Sequence, residues 1–167
     1  MTDAETVVLG VGSPLMGDDG LGVAVVDMLR DRWDSVAGLN LLDGGTWGMR
    51  VLPYIEGATR LLIVDAIANG TGPGTLIRLE GDEIPKRLRQ KLSPHQIELS
   101  EILAVAQLRD TLPSETVALG IEPARVELHD GLSPEVRAAV PALIAAIDDQ
   151  LVAWGHRPEP ARATADA

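Results

Sequence analysis

Residues 7–23 read VVLGVGSPLMGDDGLGV, and the order of these residues decides the fold. An apolar run, Val7-Val8-Leu9, enters a loop punctuated by Gly10, Gly12 and Gly17. Asp18 and Asp19 follow, then Gly20 and a helical pattern. Leu21, Val25, Met28 and Leu29 recur on one face, while Asp27, Arg30 and Asp31 take the other. Either acid of the pair is placed to cap that helix. In an open α/β sheet the loop after the first strand lies at the carboxyl ends of the strands, where ligands bind. A carboxylate pair there suits a cation better than a phosphate.

Working outward, the segment 39–42 is a second strand, closed by Asp43-Gly44-Gly45. A short helical segment over 48–55 contains Pro53, which limits its length. The run 60–64, RLLIV, is continuously apolar after its arginine and ends in Asp65. Such a strand is buried on both faces, hence lies in a sheet between two helical layers. The turn ANGTGPG at 68–74 leads to an alternating strand over 75–80, read as antiparallel or at the edge. Ser93-Pro94-His95 opens a helix to about 108, with Ser93 as cap and Pro94 at the first position. A strand over 116–121, an acidic connection and a second Ser-Pro helix start at Ser133-Pro134 complete the pattern. The predicted architecture is a single three-layer α/β/α domain over residues 1–155, a twisted, mostly parallel sheet flanked by helices on both faces. Residues 156–167 are expected to form a mobile tail.

Composition narrows the function. The chain of 167 residues has 46% hydrophobic but only 2% aromatic residues and no Phe, so the core is aliphatic. Without Cys there is no disulfide, thiolate metal site or cysteine nucleophile. The formal net charge of −11 argues against a nucleic-acid partner. No basic leader or run of about 20 apolar residues is present, so neither export nor a membrane partner is expected, and the default location is cytoplasmic.

Three acids share a structural address: Asp19 beyond strand one, Asp43 ending strand two and Asp65 ending strand three. Parallel strands collect them along one rim, and His95 in the first turn of a helix is placed to face it. Carboxylates plus an imidazole make a mixed O/N site for a borderline divalent metal such as zinc or nickel. Each acid also has a plainer reading. Asp18 or Asp19 serves as a cap, and Asp43 before Gly-Gly as a turn former. Asp65 is hardest to read so, because an unpaired carboxylate after four apolar residues is costly to bury. His129 and His156 are read as solvated; Glu122 and Glu127 are within reach of the rim, but a solvated loop is the preferred reading. Gly10-Val11-Gly12 begins like a dinucleotide loop, but the third glycine falls at Leu15 and the acidic pair repels a pyrophosphate. No G-x-S-x-G elbow is present.

The ordered set VVLGVGSPLMGDDGLGV, LLDGGTWGM at 41–49, LLIVDAI at 61–67, PGT at 73–75, SPHQ at 93–96, GIEP at 120–123 and GLSPEV at 131–136 resembles the hydrogenase maturation proteases. The likeness spans nearly the whole chain except the tail. It implies an endopeptidase that trims the C-terminal extension of a [NiFe] hydrogenase large-subunit precursor after nickel insertion, with the nickel as recognition element. It also implies metal contacts at Asp19, Asp65 and His95, and a further acidic position at Asp43. Ser13 stands where the family commonly has Asn, and Asp19 where some members have Glu. Nickel is then carried by the substrate, with zinc or cadmium able to occupy the site in vitro. Two catalytic routes stay open. The metal activates water, or a carboxylate, Asp19 or Asp43, acts as general base in the manner of an aspartyl protease. The alternatives are a Rossmann-like nucleotide-binding module and a metal-dependent hydrolase of another substrate.

Overall fold

The computed structural model describes residues 5–45, 47–88 and 94–160, the side chains of 88 and 94–98 excepted. β1 (Thr6–Val11) leads through a 3-10 turn (Gly17–Gly20) into α1 (Leu21–Trp33). β2 (Leu39–Gly45), α2 (Leu52–Glu56), β3 (Arg60–Ala66), β4 (Leu76–Glu80) and α3 (Glu83–Leu88) follow. α4 (Pro94–Leu108), β5 (Glu115–Ile121) and α5 (Pro134–Ala153) complete the chain. The sheet order is β2-β1-β3-β5-β4. All pairs are parallel except β4 with β5, as the alternating burial of β4 had indicated.

Alternation along the strands divides the core in two. Val8, Leu62, Val64 and Leu119 face α1 and α5, while Leu9, Leu61, Ile63 and Ala118 face the layer of α2, α3 and α4. β3 is buried from Leu61 to Ala66, which accounts for its unbroken apolar run. The three-layer α/β/α expectation holds. Trp33 is fully buried and donates from Nε1 to Asp148 on α5 at 2.7 Å, joining the two helices of one layer.

Three local expectations fail. Met28 is half-exposed, because the buried stripe of α1 runs through Leu21, Gly22, Val25, Val26, Leu29 and Trp33 and leaves Met28 on its flank. Neither Asp18 nor Asp19 caps α1; its N-cap is Gly20, without a side-chain hydrogen bond. The tail boundary also moves. His156 is buried, its Nε2 lies 2.8 Å from Thr6 Oγ1, and the Glu159 N–H bonds Arg32 O. The segment after Gly155 is thus tied to the amino end of β1, a partner 150 residues away that no local pattern announces. Residues 161–167 and the Ser93 cap lie outside the described residues.

The chain order creates a switch point. From β1 it moves through α1 to β2 on one side, and from β2 through α2 to β3 on the other side of β1. The carboxyl ends of β1 and β3 therefore flank the crevice where open α/β sheets bind ligands. α1 starts directly above it. A Cβ on Gly22 would lie 2.2 Å from Val64 O and 2.5 Å from Val11 O, so this glycine permits the helix to sit on both strand ends. Gly22→Ala is expected to destabilise the fold by about 1–3 kcal/mol or more, as overpacking against backbone that cannot retreat does. A chemical-denaturation midpoint equal to wild type would show that the helix is free to lift.

Candidate active site at the carboxyl ends of the strands

Asp19 and Asp65 are both buried at this crevice, 1% and 0% exposed. Asp65 occupies the end of β3, level with Gly120 of β5, and its Oδ1 accepts the Ala66 N–H at 2.8 Å. Its strand parity is that of Leu61 and Ile63, which places it on the α4 side. Asp19 belongs to the 3-10 turn that packs against β3, and its Oδ2 accepts the Ser13 N–H at 3.0 Å. Gly12, at φ 116°, lets the loop fold back so tightly that a Cβ there would fall 1.8 Å from Asp19 O. A backbone N–H thus helps to hold each carboxylate, and carboxylate oxygens are donors of the kind that meet a divalent cation.

The backbone of His95 lies in the first turn of α4; its side chain lies outside the described residues. The direction of α4 is set by the chain. α4 leads into the amino end of β5, and a helix of 15 residues extends about 22 Å. Its first turn is thereby carried back toward the carboxyl ends, and the helix packs against the 3-10 turn at Gly48–Val51. Asp43 is placed differently. It pairs with Gly10, shares the parity of Leu39 and Leu41, and so lies on the α1 face, exposed. The sheet plane thus separates it from Asp65. Among the described residues no three His, Asp or Glu side chains gather into a metal cluster.

The other acid of the opening pair is a clamp. Asp18 is fully buried and accepts four hydrogen bonds. Oδ1 takes the Ser133 N–H at 2.7 Å, and Oδ2 takes Ala124 N–H, Arg125 N–H and the Ser133 hydroxyl at 2.8–2.9 Å. Burial by itself raises this carboxyl, but the bonds from Ser133, Arg125 and Ala124 outweigh it and hold the pKa below its ordinary 3.8. Asp18 also borders a cavity of about 310 Å³ with Arg125, His129 and Glu135.

Glu122 corrects the expectation of a solvated side chain. It is buried and accepts the N–H groups of Asn69, Gly70, Thr71 and Gly72 and the Thr71 hydroxyl. Burial raises its pKa, yet the bonds from Thr71, Gly70 and Asn69 prevail and leave it lowered. The loop after Asp65 is thereby moulded on a charge carried by β5. The available signal was an acid immediately after the apolar run Val117–Ile121, similar to the signal that marked Asp65. His129 and Glu127 are exposed, as expected.

The chain matches the family model described as hydrogenase maturation protease over residues 23–150. It is 37% identical to the hydrogenase 2 maturation protease of Escherichia coli over 139 residues, 82% of this chain and 85% of that one. It is 37% identical to the hydrogenase expression/formation protein HoxM of Cupriavidus necator over 156 residues, 92% of this chain and 77% of that one. The chain belongs to the hydrogenase maturation protease family. The solved structure of the hydrogenase maturating endopeptidase HybD from E. coli superposes with a TM-score of 0.87 at 32% identity, covering 93% of this protease and 97% of that chain. A [NiFe] hydrogenase maturation protease HybD from Thermococcus kodakarensis gives 0.72 at 28% identity, covering 87% and 98%. The protease is thus a peptidase built on the α/β fold of these endopeptidases. Among its described residues no helix is long and apolar enough to cross a membrane.

Both oxygens of Asp18 face donors, so Asp18→Asn turns an amide against at least one N–H. The variant is expected to lose about 1–3 kcal/mol of stability. In the wild type the lowered pKa values of Asp18 and Glu122 give a contribution that is complete above their ordinary values, 3.8 and 4.5, and lost as pH falls through the folded-state values. Asp18→Asn should therefore flatten the acid limb of a plot of denaturation midpoint against pH. An unchanged limb would contradict the clamp.

Proposed function

We propose that this protease removes the C-terminal extension of a [NiFe] hydrogenase large-subunit precursor once nickel has been inserted. The observation that carries the reading is the pair of buried carboxylates, Asp19 and Asp65, at the switch point of a peptidase fold. The precursor brings nickel on its own cysteines. Asp19, Asp65 and His95 complete the coordination and so admit only a loaded precursor. Mixed oxygen and imidazole donors suit a borderline divalent ion, and zinc or cadmium should occupy the same donors in vitro.

Hydrolysis needs an activated water and a stabilised oxyanion. In this reading Asp19, which accepts the Ser13 N–H, takes the proton of a water attacking the scissile carbonyl. The same proton is then available to the departing amine. Asp43, on the opposite face and exposed, is the less favoured base and is better suited to meeting the partner. The substrate's metal supplies polarisation and recognition. Membership in a peptidase family displaces the nucleotide-binding reading. The compartment proposed is the cytoplasm, where the precursor would be met before assembly.

The test is the C-terminal mass loss of a purified precursor incubated with the protein. Asp65→Ala, Asp65→Asn and His95→Ala should each abolish it while thermal melting stays cooperative. Full processing by these variants would contradict the ligand assignment, and lost cooperativity in all of them would make the residues structural.

A further inference from the structure

β2 forms one edge of the sheet, and no strand lies beyond it among the described residues. The Thr6 N–H bonds Gly38 O, and alternation along a parallel ladder then turns the backbone groups of Leu39, Leu41 and Asp43 outward. The Leu39 N–H is taken by Val36 O. The outward N–H and C=O groups of Leu41 and Asp43 point away from the sheet. Edge strands are normally guarded by lysine, proline or a bulge. Leu39–Gly45 contains no Lys, Arg or Pro, and its register shift comes only opposite Gly10 and Val11, past Asp43.

The side chains that follow β2 in the chain are of the kind that binds protein. The chain has only three Trp and one Tyr. Trp33 and Trp154 are buried, whereas Trp47 and Tyr54 are 48% and 43% exposed, with Met49 between them at 51%. Both exposed aromatics thus fall in the nine residues that follow the carboxyl end of β2. Leu15, also exposed, belongs to the glycine loop joined to that end by the bond from Gly12 N–H to Gly45 O. Aromatic residues and methionine are enriched in interfaces, and a small number of such anchors dominate binding.

A peptidase must bring a polypeptide to its catalytic rim, and extended peptides commonly bind by adding a strand to a free edge. β2 ends at the rim that carries Asp19 and Asp65. We propose that the β2 edge is the docking strand for an extended segment of the protein substrate, paired with the backbone of Leu41 and Asp43 and held beyond the rim by Trp47, Met49 and Tyr54. The exposed Asp43 carboxylate favours a neutral or basic residue opposite it. This inference rests on the processing function above and adds the surface that delivers the substrate.

The test has two readouts on the full-length protein. In one, wild-type protein is pulse-labelled with deuterium within seconds of mixing with saturating nickel-loaded precursor. The Leu41 and Asp43 amides should exchange about tenfold more slowly than in the protein alone. In the other, the double variant Trp47→Ala/Tyr54→Ala should raise KM about tenfold, the size of a single hot spot. Its kcat and melting temperature should stay those of the wild type. Unchanged exchange or unchanged KM, with wild-type cleavage intact, overturns the docking surface and leaves the processing function standing. Protection that grows with protein concentration without precursor assigns the edge to a second copy and likewise overturns it. A wild-type protein that cleaves no precursor overturns the processing function and this surface with it.

Discussion

The carboxylate of Asp18 is the constraint on which the rim depends. It is sealed from water and satisfied by four donors from the chain between β5 and α5. An ionised group in that position is tolerable only because every bond is made. The Ser133 hydroxyl that bonds Asp18 also accepts from the Val136 N–H, so the start of α5 is fixed by the same contacts. The Gly17 N–H bonds His129 O and the Asp18 N–H bonds Arg125 O, which adds backbone ties between the two segments. Asp19 follows directly on this anchored residue. The two neighbouring acids thus make different ties: Asp18 binds the chain between β5 and α5, and Asp19 accepts the Ser13 N–H within the loop itself.

A second buried acid does similar work on the far side. Glu122 gathers four successive N–H groups from the loop after β3. With Asp18 it fixes the connections on either side of Asp65 using charge rather than apolar packing. A protein with a formal net charge of −11 has therefore buried several of its acids at one end of the sheet. The opposite end closes with His156 against Thr6 and with Arg60, which donates to Glu5, Glu115 and Trp154 O. Burial lowers the His156 pKa, Glu5 works against that and Arg60 adds to it. The neutral imidazole fits there, and this contact weakens as pH falls below the ordinary histidine value. His156 and Glu159 are thus anchored at the end of the sheet away from the rim.

Much of the fold was legible because it is written locally. The unbroken RLLIV run announced a strand buried on both faces, the alternation over 75–80 announced the antiparallel edge, and the second Ser-Pro pair announced α5. Asp65 was legible too, as a charge that an apolar strand does not need. What failed was long-range. Asp18 looked like a cap because caps are local, but its partners lie 106 to 115 residues onward. Glu122 looked solvated because its acceptors' partners are backbone amides of a glycine-rich turn, which carry no sequence signature. His156 was read as tail because its partner, the Thr6 hydroxyl, lies 150 residues away. Asp43 was grouped with Asp65 from their shared strand-end position, but strand parity places them on opposite faces of the sheet, and parity between strands depends on register.

The central claim is that the donor set of Asp19, Asp65 and His95 is completed by metal already seated in the substrate. The direct measurement compares nickel-loaded and nickel-free precursor, incubated with the same protein, by C-terminal mass loss. The account predicts processing of the loaded precursor alone. Equal processing of both would contradict it.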